Sequence, residues 1–470
     1  MTVSYTNLSS IDDVTLATRR GNAALGSASD TDSKLNRYDT IFALATPAGK
    51  SGVAVFRLSG GGAGAALQKI TNIQLLEPRK AIYSVIHHPI SGTIIDHALA
   101  LYFPAPHSFT GEEVVELHTH GSLAVIREIM AVLSGMERLR PAERGEFARR
   151  AYLNGKMDLI EAEGLADLIE AETSAQKAQA LRQMGGNLSN FYNDLRVKII
   201  TALAHLEAYI DFPDEEIPES VFEGLAGQVR GVQSVIAAAL DDHRRGERIR
   251  DGVHIVILGA PNAGKSSLLN ALTQREAAIV SERAGTTRDV IEIHMEFAGY
   301  PAILMDTAGI RESSDDIESE GIRRALARAE SADITLVLFE GVEPDVATAK
   351  LVDERTILVA TKSDMSDAHH PSSVIPLSTK TGQGVDALLK AIETRIVESF
   401  SGEGAMITRS RHRSALNEAE SHLIRFHNPL PLELKCEELR RAAVCIGQIT
   451  GKIAVDDVLD VVFRQFCIGK

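Results

Sequence analysis

The residues with the most recognisable chemistry form the stretch GAPNAGKSS, Gly259 to Ser267. It fits the pattern G-x-x-x-x-G-K-[ST] of phosphate-binding loops, between the apolar run HIVILG and the helical pattern SLLNALT. In such loops glycines let backbone N–H groups face the phosphates, and the following helix adds the positive end of its dipole. Lys265 would contact the β- and γ-phosphates, and the Ser266 hydroxyl would bind Mg²⁺. The predicted contacts are Asn262, Ala263, Gly264, Lys265, Ser266 and Ser267.

Downstream motifs predict that the nucleotide is GTP. In AGTTRD, Thr287 could contact both Mg²⁺ and the γ-phosphate, and DTAG ends a strand with a carboxylate for Mg²⁺-bound water. ILVATKSD ends in Asp364, which can accept hydrogen bonds from guanine N1–H and the exocyclic amine, and STK would close over the base. The order of these motifs predicts a G domain. Its further predicted contacts are Ser281, Glu282, Arg283, Ala284, Gly285, Thr286, Thr287, Asp306, Thr307, Ala308, Gly309, Thr361, Lys362, Asp364 and Ser378.

Two positions depart from the usual G-domain pattern. Thr361 stands where most such motifs have the asparagine that braces the phosphate loop, so guanine specificity is expected but affinity can be reduced. Ile310 stands where Ras-like proteins have the glutamine that orients the attacking water. The missing group could come from an external activator or from a carboxylate in the loop Arg311–Gly321. Such acidic runs more often face solvent.

Apolar patterning predicts the elements that position these residues. Short runs with Gly and Pro between them indicate strands from Tyr38 to about His120, and three- and four-residue spacing indicates helices from Ser122 to Arg245. Strands and helices alternate from Val253 to Phe400, and helical spacing returns from Arg411 to Phe466. Because a domain can be inserted into a loop of another, we interpret the two helical blocks as one interrupted domain. The predicted organisation is a disordered leader (1–37), an N-terminal domain (38–121), a discontinuous helical domain (122–250 and 402–470) and an inserted G domain (251–401).

Composition restricts the partners and the compartment. The chain has 470 residues, 44% of them apolar, and a formal net charge of −15, so a polyanion could be held only by local basic clusters. GEFARRAYLNGK and Thr408–Arg413 could contact nucleic-acid phosphates or simply cover a helix face. There is no run of about 18 apolar residues to span a membrane. Three cysteines do not suggest a disulfide framework and favour a reducing cytoplasm.

The C-terminal sequence RQFCIGK allows several interpretations. Cys467 is fourth from the end, as in a prenylation box, or could be a reactive thiol on a short tail. A final Lys470 and the acidic, apolar sequence before it argue against lipid attachment. We therefore predict that VLDVVFRQF forms the last core helix.

Long stretches outside the G motifs carry a family resemblance. They are TIFALATPAGKSGVAVFRLSG, SFTGEEVVELHTHG, GEFARRAYLNGKMDLIEAEGLADLI, IDFPDEEIP and ITGKIAVDDVLDVVFRQFCIGK. With the G motifs, they resemble the tRNA modification GTPases called MnmE or TrmE from about Tyr38 to Lys470. The resemblance implies a multidomain α/β and α fold. Its parts are a β-rich, aminomethyltransferase-like folate-binding domain, a helical domain and an inserted Ras-like P-loop G domain with a mixed sheet.

The resemblance also implies an activity and its partners. Such proteins are homodimers that work with the FAD-dependent partner MnmG (GidA). Together they place an aminomethyl or carboxymethylaminomethyl group on carbon 5 of the wobble uridine of certain tRNAs. The one-carbon donor is a tetrahydrofolate derivative, in a 5-formyl or 5,10-methylene form. GTP brings the two G domains together in a potassium-dependent way.

The resemblance also implies binding and catalytic roles for specific residues. Arg57, Glu116, Lys156 and terminal Lys470 match folate-contacting positions. Potassium would be bound by Asn262 with Ser281, Arg283 and Thr286, the last three through side-chain or backbone oxygens. Glu318 matches the water-orienting glutamate and would replace the glutamine missing at Ile310. Cys467 would lie near folate and uridine, either as a nucleophile or acid/base group or as a small packed side chain.

One competing function is a ribosome-assembly GTPase that binds rRNA. That class would need an RNA-binding KH-like domain. No GXXG loop in a βαα context is visible in the sequence outside the G domain.

Overall fold

The computed structural model of the chain describes residues 39–211, 219–260, 262–274, 292–306, 332–344, 346–350, 352–365, 369–400, 407–453 and 456–469. These residues form two compact units. The first unit contains residues 39–108, 112–142 and Gly469, and the second contains 109–111 and 143–468. No helix in these described ranges is long and apolar enough to span a membrane.

The first unit is built on a six-stranded sheet in the order β3-β4-β5-β2-β1-β6. Its pairs are antiparallel except for β1 with β6. The strands are β1 (Thr40–Leu44), β2 (Ser51–Ser59), β3 (Ile82–His87), β4 (Ile94–Phe103), β5 (Val114–Gly121) and β6 (Leu139–Pro141), and the helices are α1 (Ala63–Ile70) and α2 (Leu123–Ser134).

Alternation along the strands of the first unit separates a buried face from a polar one. Phe56 and Leu117 are fully buried in the cluster that both helices join. Arg57 and Glu116 alternate with them and are opposite each other in the β2–β5 register. Because neighbouring residues of a strand point to opposite faces, Arg57 and Glu116 share the other face of the sheet. The sheet continues past residue 121, because β6 pairs with β1.

The helices of the second unit confirm the predicted helical spacing. The predicted runs DLIEAEGLADLIEAE and VKIITALAHLEAYIDF lie in α4 and α6. Capping boxes begin α4, with Asp158 and Glu161, and α5, with Thr173 and Gln176. The elements are α3 (Glu146–Leu153), α4 (Leu159–Glu170), α5 (Ser174–Met184), α6 (Asn187–Asp211), α7 (Glu219–Leu240), α8 (Arg245–Asp251), α12 (Ser410–Phe426), α13 (Leu432–Thr450) and α14 (Asp456–Arg464).

The last of these helices confirms the interpretation of VLDVVFRQF. Leu459, Val462, Phe463 and Phe466 are buried against α3 and α4. After α14, Ile468 forms a β-bridge with Arg144. The apolar run is therefore a core helix followed by a short paired segment.

A second sheet, in the order β12-β11-β10-β7-β9-β8, lies between the helical segments of the chain. β8 is antiparallel to β9, and all other neighbours are parallel. The central strands β7 and β10 are almost entirely buried, as parallel strands covered on both faces require. The elements are β7 (Val253–Gly259), α9 (Lys265–Thr273), β8 (Glu292–Phe297), β9 (Tyr300–Asp306), β10 (Ile334–Glu340), α10 (Val346–Ala349), β11 (Thr356–Thr361), a 3₁₀ helix (Ser363–Met365), β12 (Val374–Leu377) and α11 (Val385–Ser399).

A buried ion cluster joins α4 to α12. Glu163 is fully buried, and its carboxylate accepts hydrogen bonds from Arg411 at 2.6 and 2.8 Å and from His412 Nε2 at 2.9 Å. Arg409 Nε lies 3.4 Å from the same carboxylate. Arg411 also donates to the carbonyl of Ile449 at the end of α13. One carboxylate thus holds three helices together.

The same cluster shifts the pKa values of its members. Burial alone would raise the pKa of Glu163, but the facing His412, Arg411 and Arg409 hold it well below its usual range. Burial, with the nearby arginines, lowers the pKa of His412 to about 4. An unfolded histidine takes up a proton below pH ~6.5, whereas the folded His412 does not until about pH 4. The free energy of unfolding therefore decreases as the pH is lowered through that interval.

Asp167, one turn after Glu163, contacts both ends of the segment that carries the second sheet. Its Oδ1 accepts from Arg250 Nε at 3.0 Å, just before β7, and from Arg409 Nη2 at 2.7 Å, just before α12. Arg248 of α8 donates to Asp333 at 2.6 Å, next to β10. These contacts fix the chain where it enters and leaves the sheet.

The β8–β9 turn makes a second contact with the helices. Ala175 N–H, in the first turn of α5, donates to Gly299 O at 3.0 Å. Gly299 has a φ of +86°, and a Cβ built there would lie 2.4 Å from Ser174 Oγ. The positive φ favours glycine at this position, and a side chain there would require Ser174 to change its rotamer.

Several side chains of the two basic clusters pair with carboxylates inside the helical segments. In Thr408–Arg413, Arg409 and His412 are buried, and Arg413 pairs with Asp242 at 2.7 Å. In the earlier cluster, Arg150 is buried and pairs with Glu146 at 3.0 Å. The structure supports the alternative that these charges belong to helix packing. Contact of tRNA with the exposed Lys156 of the earlier cluster stays a prediction.

Replacement of Glu163 should destabilise the helical segments. In Glu163→Gln, the buried Arg409 and the partly buried Arg411 lose the charge of their shared partner, which should lower the free energy of unfolding by about 3 kcal/mol. Urea unfolding followed by circular dichroism measures this. Asp194→Asn is the matched control, because the Asp194–Lys198 pair is exposed and should contribute at most about 1 kcal/mol. Equal effects of the two substitutions would contradict the role of the buried cluster.

Candidate functional site

The loop between β7 and α9 has the geometry of a phosphate-binding turn. Gly259 has a φ of +150°, and a Cβ built there would lie 2.3 Å from Leu338 O of β10. Asn262 and Gly264 also have positive φ, +66° and +89°. Glycine and asparagine tolerate this conformation better than other residues, so the sequence permits the tight turn.

The cationic and hydroxyl groups of the loop lie where the motif requires them. Lys265 Nζ donates to Gly259 O at 2.8 Å and to Ala260 O at 2.9 Å, which holds the ammonium over the loop. Helix α9 begins after Gly264, which has no side chain to cap the first-turn N–H groups. Ser266 and Ser267 are exposed there. Backbone donors, a helix dipole and an ammonium group together suit a phosphate chain.

The parallel register brings the other described nucleotide residues to the same edge. Gly259 is level with Leu338, Ile257 with Asp306, and Thr361 with Leu377. The five strands β7, β9, β10, β11 and β12 therefore have their carboxyl ends at one edge, where the phosphate loop, Asp306, Thr361 and the loop that begins at Ser378 lie. Ligands of open α/β sheets bind outside the carboxyl ends of the strands.

Thr361 packs beside the phosphate loop without a hydrogen bond to it. Its side chain is buried, and its Cβ and Cγ2 lie 3.9 Å from the position of a Cβ built on Gly264. Its hydroxyl donates to Phe339 O at 3.1 Å. The threonine thus fills the space next to the loop, while its polar group stabilises the end of β10.

The residues that were predicted to contact the guanine base follow β11 and β12. Lys362 pairs with Glu340, and Asp364 is exposed in the 3₁₀ helix. Ser378 is buried, and its Oγ accepts from Thr381 N–H at 3.3 Å. The serine therefore shapes the turn, and Asp364 is accessible to a ligand.

In the first unit, the structure pairs two of the predicted folate contacts. Arg57 Nε and Nη2 donate to Glu116 Oε1 at 3.0 and 2.8 Å, and both side chains are about one-fifth exposed. His118 lies on the same face, with Nε2 3.6 Å from Glu116 Oε2. That nitrogen is buried without a hydrogen-bond partner among the described residues. Sequence reasoning missed His118, although the two-residue spacing from Glu116 placed it on the same side of the strand.

The other predicted residues stand apart or outside the described ranges. Lys156 belongs to the second unit and is exposed, and Cys467 is an exposed free thiol after α14. Cys436 and Cys445 are free and buried. The segment 281–287, Thr307, Ala308, Gly309, Ile310, Glu318 and Lys470 lie outside the described residues, as do the leader and most of IDFPDEEIP.

The fold and the phosphate-loop geometry define a P-loop GTPase. The sequence profile of the MnmE helical domain matches residues 159–467, and that of the GTP-binding protein TrmE N-terminus matches residues 40–156. The tRNA modification GTPase MnmE of Paramagnetospirillum magneticum is 51% identical over 92% of this chain and 100% of its own length. The tRNA modification GTPase MnmE of Parvibaculum lavamentivorans is 50% identical, again over 92% of this chain and 100% of its own length. The chain belongs to the MnmE family of tRNA modification GTPases.

Replacement of Gly259 should disable the phosphate loop. In Gly259→Ala, the new methyl group would collide with Leu338 O and displace the loop, which should weaken GDP affinity at least about tenfold. Titration with a fluorescent GDP analogue measures this. Gly341→Ala is the matched control, because Gly341 also has a positive φ (+87°) but no atom within 4 Å of its Cβ position. Equal affinities of the two variants would contradict the steric account.

Proposed function

We propose that this chain is a potassium-dependent GTPase of tRNA wobble-uridine modification. It acts with an FAD-dependent partner of the MnmG type to add an aminomethyl or carboxymethylaminomethyl group to carbon 5 of the uridine. The carbon comes from a tetrahydrofolate derivative. The observation that carries the proposal is the convergence of the nucleotide residues at one sheet edge, in a chain that belongs to the MnmE family.

The nucleotide site supports binding of Mg²⁺–GTP. Lys265 is held over the loop, and Ser266 is exposed at the start of α9, where its hydroxyl can reach a metal ion. Asp364 is exposed for the guanine edge. The proposed water-orienting residue is Glu318, and Thr287 completes the proposed magnesium ligands.

Potassium would be held by the phosphate loop itself. Asn262 has a φ of +66° and an exposed side chain, so its amide oxygen is available to a hard cation. Ser281, Arg283 and Thr286 would supply the other oxygens. A bound potassium ion supplies positive charge near the phosphates, the role that an arginine finger has in other GTPases.

The first unit supports folate binding and dimerisation. Glu116 can accept hydrogen bonds from a pterin, and the orphaned His118 Nε2 offers a further polar contact beside it. Arg57, with Lys156 and Lys470, would provide charge for the folate glutamate tail. Val53, Tyr83 and Leu99 of this sheet are 53%, 68% and 43% exposed, which supports a homodimer contact.

The potassium proposal predicts a cation-dependent rate. Wild-type protein should hydrolyse GTP at least about tenfold faster in K⁺ than in Na⁺, because the ion stabilises transition-state charge. Asn262→Gly should lose this difference, since it removes the amide oxygen and tolerates the positive φ. Asn262→Asp keeps an oxygen ligand and should keep the potassium response. Phosphate release assays at matched ionic strength decide the matter, and an unchanged potassium response in Asn262→Gly would exclude this ligand.

The folate proposal predicts loss of tRNA modification. In cells that lack this gene, wild-type protein should restore the modified wobble uridine, and Glu116→Gln should restore little of it. The purified variant should bind a reduced folate at least about tenfold more weakly, because a charge-assisted hydrogen bond is lost. Mass spectrometry of tRNA nucleosides and folate titration measure both effects. Glu137→Gln, an exposed site in the same unit, is the control. Identical wobble uridines with and without the gene would refute the function itself.

A further inference from the structure

Three side chains with metal-binding groups meet between α12 and α13. Glu418 and His422 are four residues apart on α12 and therefore share one face of it. Cys445 of α13 lies opposite them. A carboxylate oxygen of Glu418, an imidazole nitrogen of His422 and Cys445 Sγ all lie within 4.8 Å of one another. Among the described residues, this is a group separate from the GTP and folate sites.

A carboxylate and a guanidinium both approach His422 Nδ1. Glu438 Oε2 lies 2.6 Å and Arg425 Nη2 2.7 Å from it, and Arg425 Nε donates to the same Glu438 oxygen at 3.0 Å. In the tautomer with the proton on Nδ1, this nitrogen donates to Glu438 and the lone pair for a metal ion is on Nε2. Metal-binding histidines commonly have such a carboxylate on their second nitrogen.

The environment of Cys445 distinguishes it from the other two cysteines. It is buried, and the cavity beside it is lined by Glu418 and His422 together with further polar side chains such as Arg441 and Gln448. A bound cation would replace the proton of the thiol. Cys436 and Cys445 both belong to the apolar core, but among the described residues only Cys445 lies beside a carboxylate and an imidazole, and Cys467 is exposed.

We propose that Glu418, His422 and Cys445 form a site for a divalent transition-metal ion, with Zn²⁺ as the best match. Thiolate and imidazole select against Mg²⁺ and Ca²⁺, and a mixed set of three ligands is typical of zinc with one open position. Tetrahedral zinc would place the ligand atoms about 3.3 to 3.8 Å apart. Glu418 is exposed and can rotate inward to reach this spacing, whereas His422 and Cys445 are already buried. The ion would tie α12 to α13.

Cobalt provides a direct probe of this site. The full-length protein, stripped of metal with a chelator, is titrated with Co²⁺, which gives an intense near-ultraviolet band only when a thiolate is a ligand. We expect one such Co²⁺ per chain and loss of the band when Zn²⁺ is added. Cys445→Ser should abolish the band, and Glu438→Gln should weaken Co²⁺ affinity about 10- to 100-fold through the histidine.

The other cysteines are matched controls. Cys436→Ser, on the same helix, and Cys467→Ser, on the exposed tail, should both retain the band and its affinity. Absence of the band in wild-type protein would overturn the proposal. So would a band that survives in Cys445→Ser and disappears in Cys467→Ser, because the ion would then be bound adventitiously by the tail.

Thermal unfolding separates a metal defect from a folding defect. Zn²⁺ should raise the unfolding temperature of wild-type protein and Cys436→Ser, because the ion binds the folded state. Zn²⁺ should not change the unfolding temperature of Cys445→Ser or of His422→Gln. Equal stabilisation of wild-type protein and Cys445→Ser would refute the site, even if Cys445→Ser is less stable without metal.

Discussion

An inserted domain has to be attached at both points where the chain crosses into it, and one carboxylate, Asp167, contacts both crossings. Arg250 reaches it from the entering segment and Arg409 from the leaving segment. Arg409 also approaches Glu163, so the attachment is continuous with the buried cluster that joins α4 to α12. Such charges are stable in the interior only when every partner is present. The second sheet is therefore held by a few paired side chains together with apolar contacts of Ile249 and Ala175.

The attachment and the chemistry occupy opposite ends of that sheet. Arg248 binds Asp333, whose other oxygen accepts the backbone N–H of His254 at the start of β7, so the amino ends of β7 and β10 are fixed to α8. The phosphate loop, Asp306 and Thr361 lie at the carboxyl ends. In α/β proteins the functional residues commonly lie on loops that a rigid scaffold positions.

The sequence predicted the parts of this molecule that depend on local pattern. The phosphate loop follows from glycine spacing, and α4 and α14 follow from their apolar periodicity. The ionic roles of Arg409, Arg411 and Arg413 were not predictable, because their carboxylate partners are more than 160 residues away in the chain. A basic run looks the same whether it faces solvent or a buried carboxylate. The orphaned nitrogen of His118 and the Glu418–His422–Cys445 group likewise arise from tertiary packing.

The β8–β9 turn has a consequence for how this fold can vary. The carbonyl of Gly299 accepts a hydrogen bond from α5, and the positive φ of Gly299 forms the turn that joins β8 to β9. An inserted residue at the turn would break the contact with α5 or shift the register of both strands. Natural variation in length should therefore be concentrated in other loops. Chimeric proteins that exchange G domains should keep this hairpin and α5 together from the same parent.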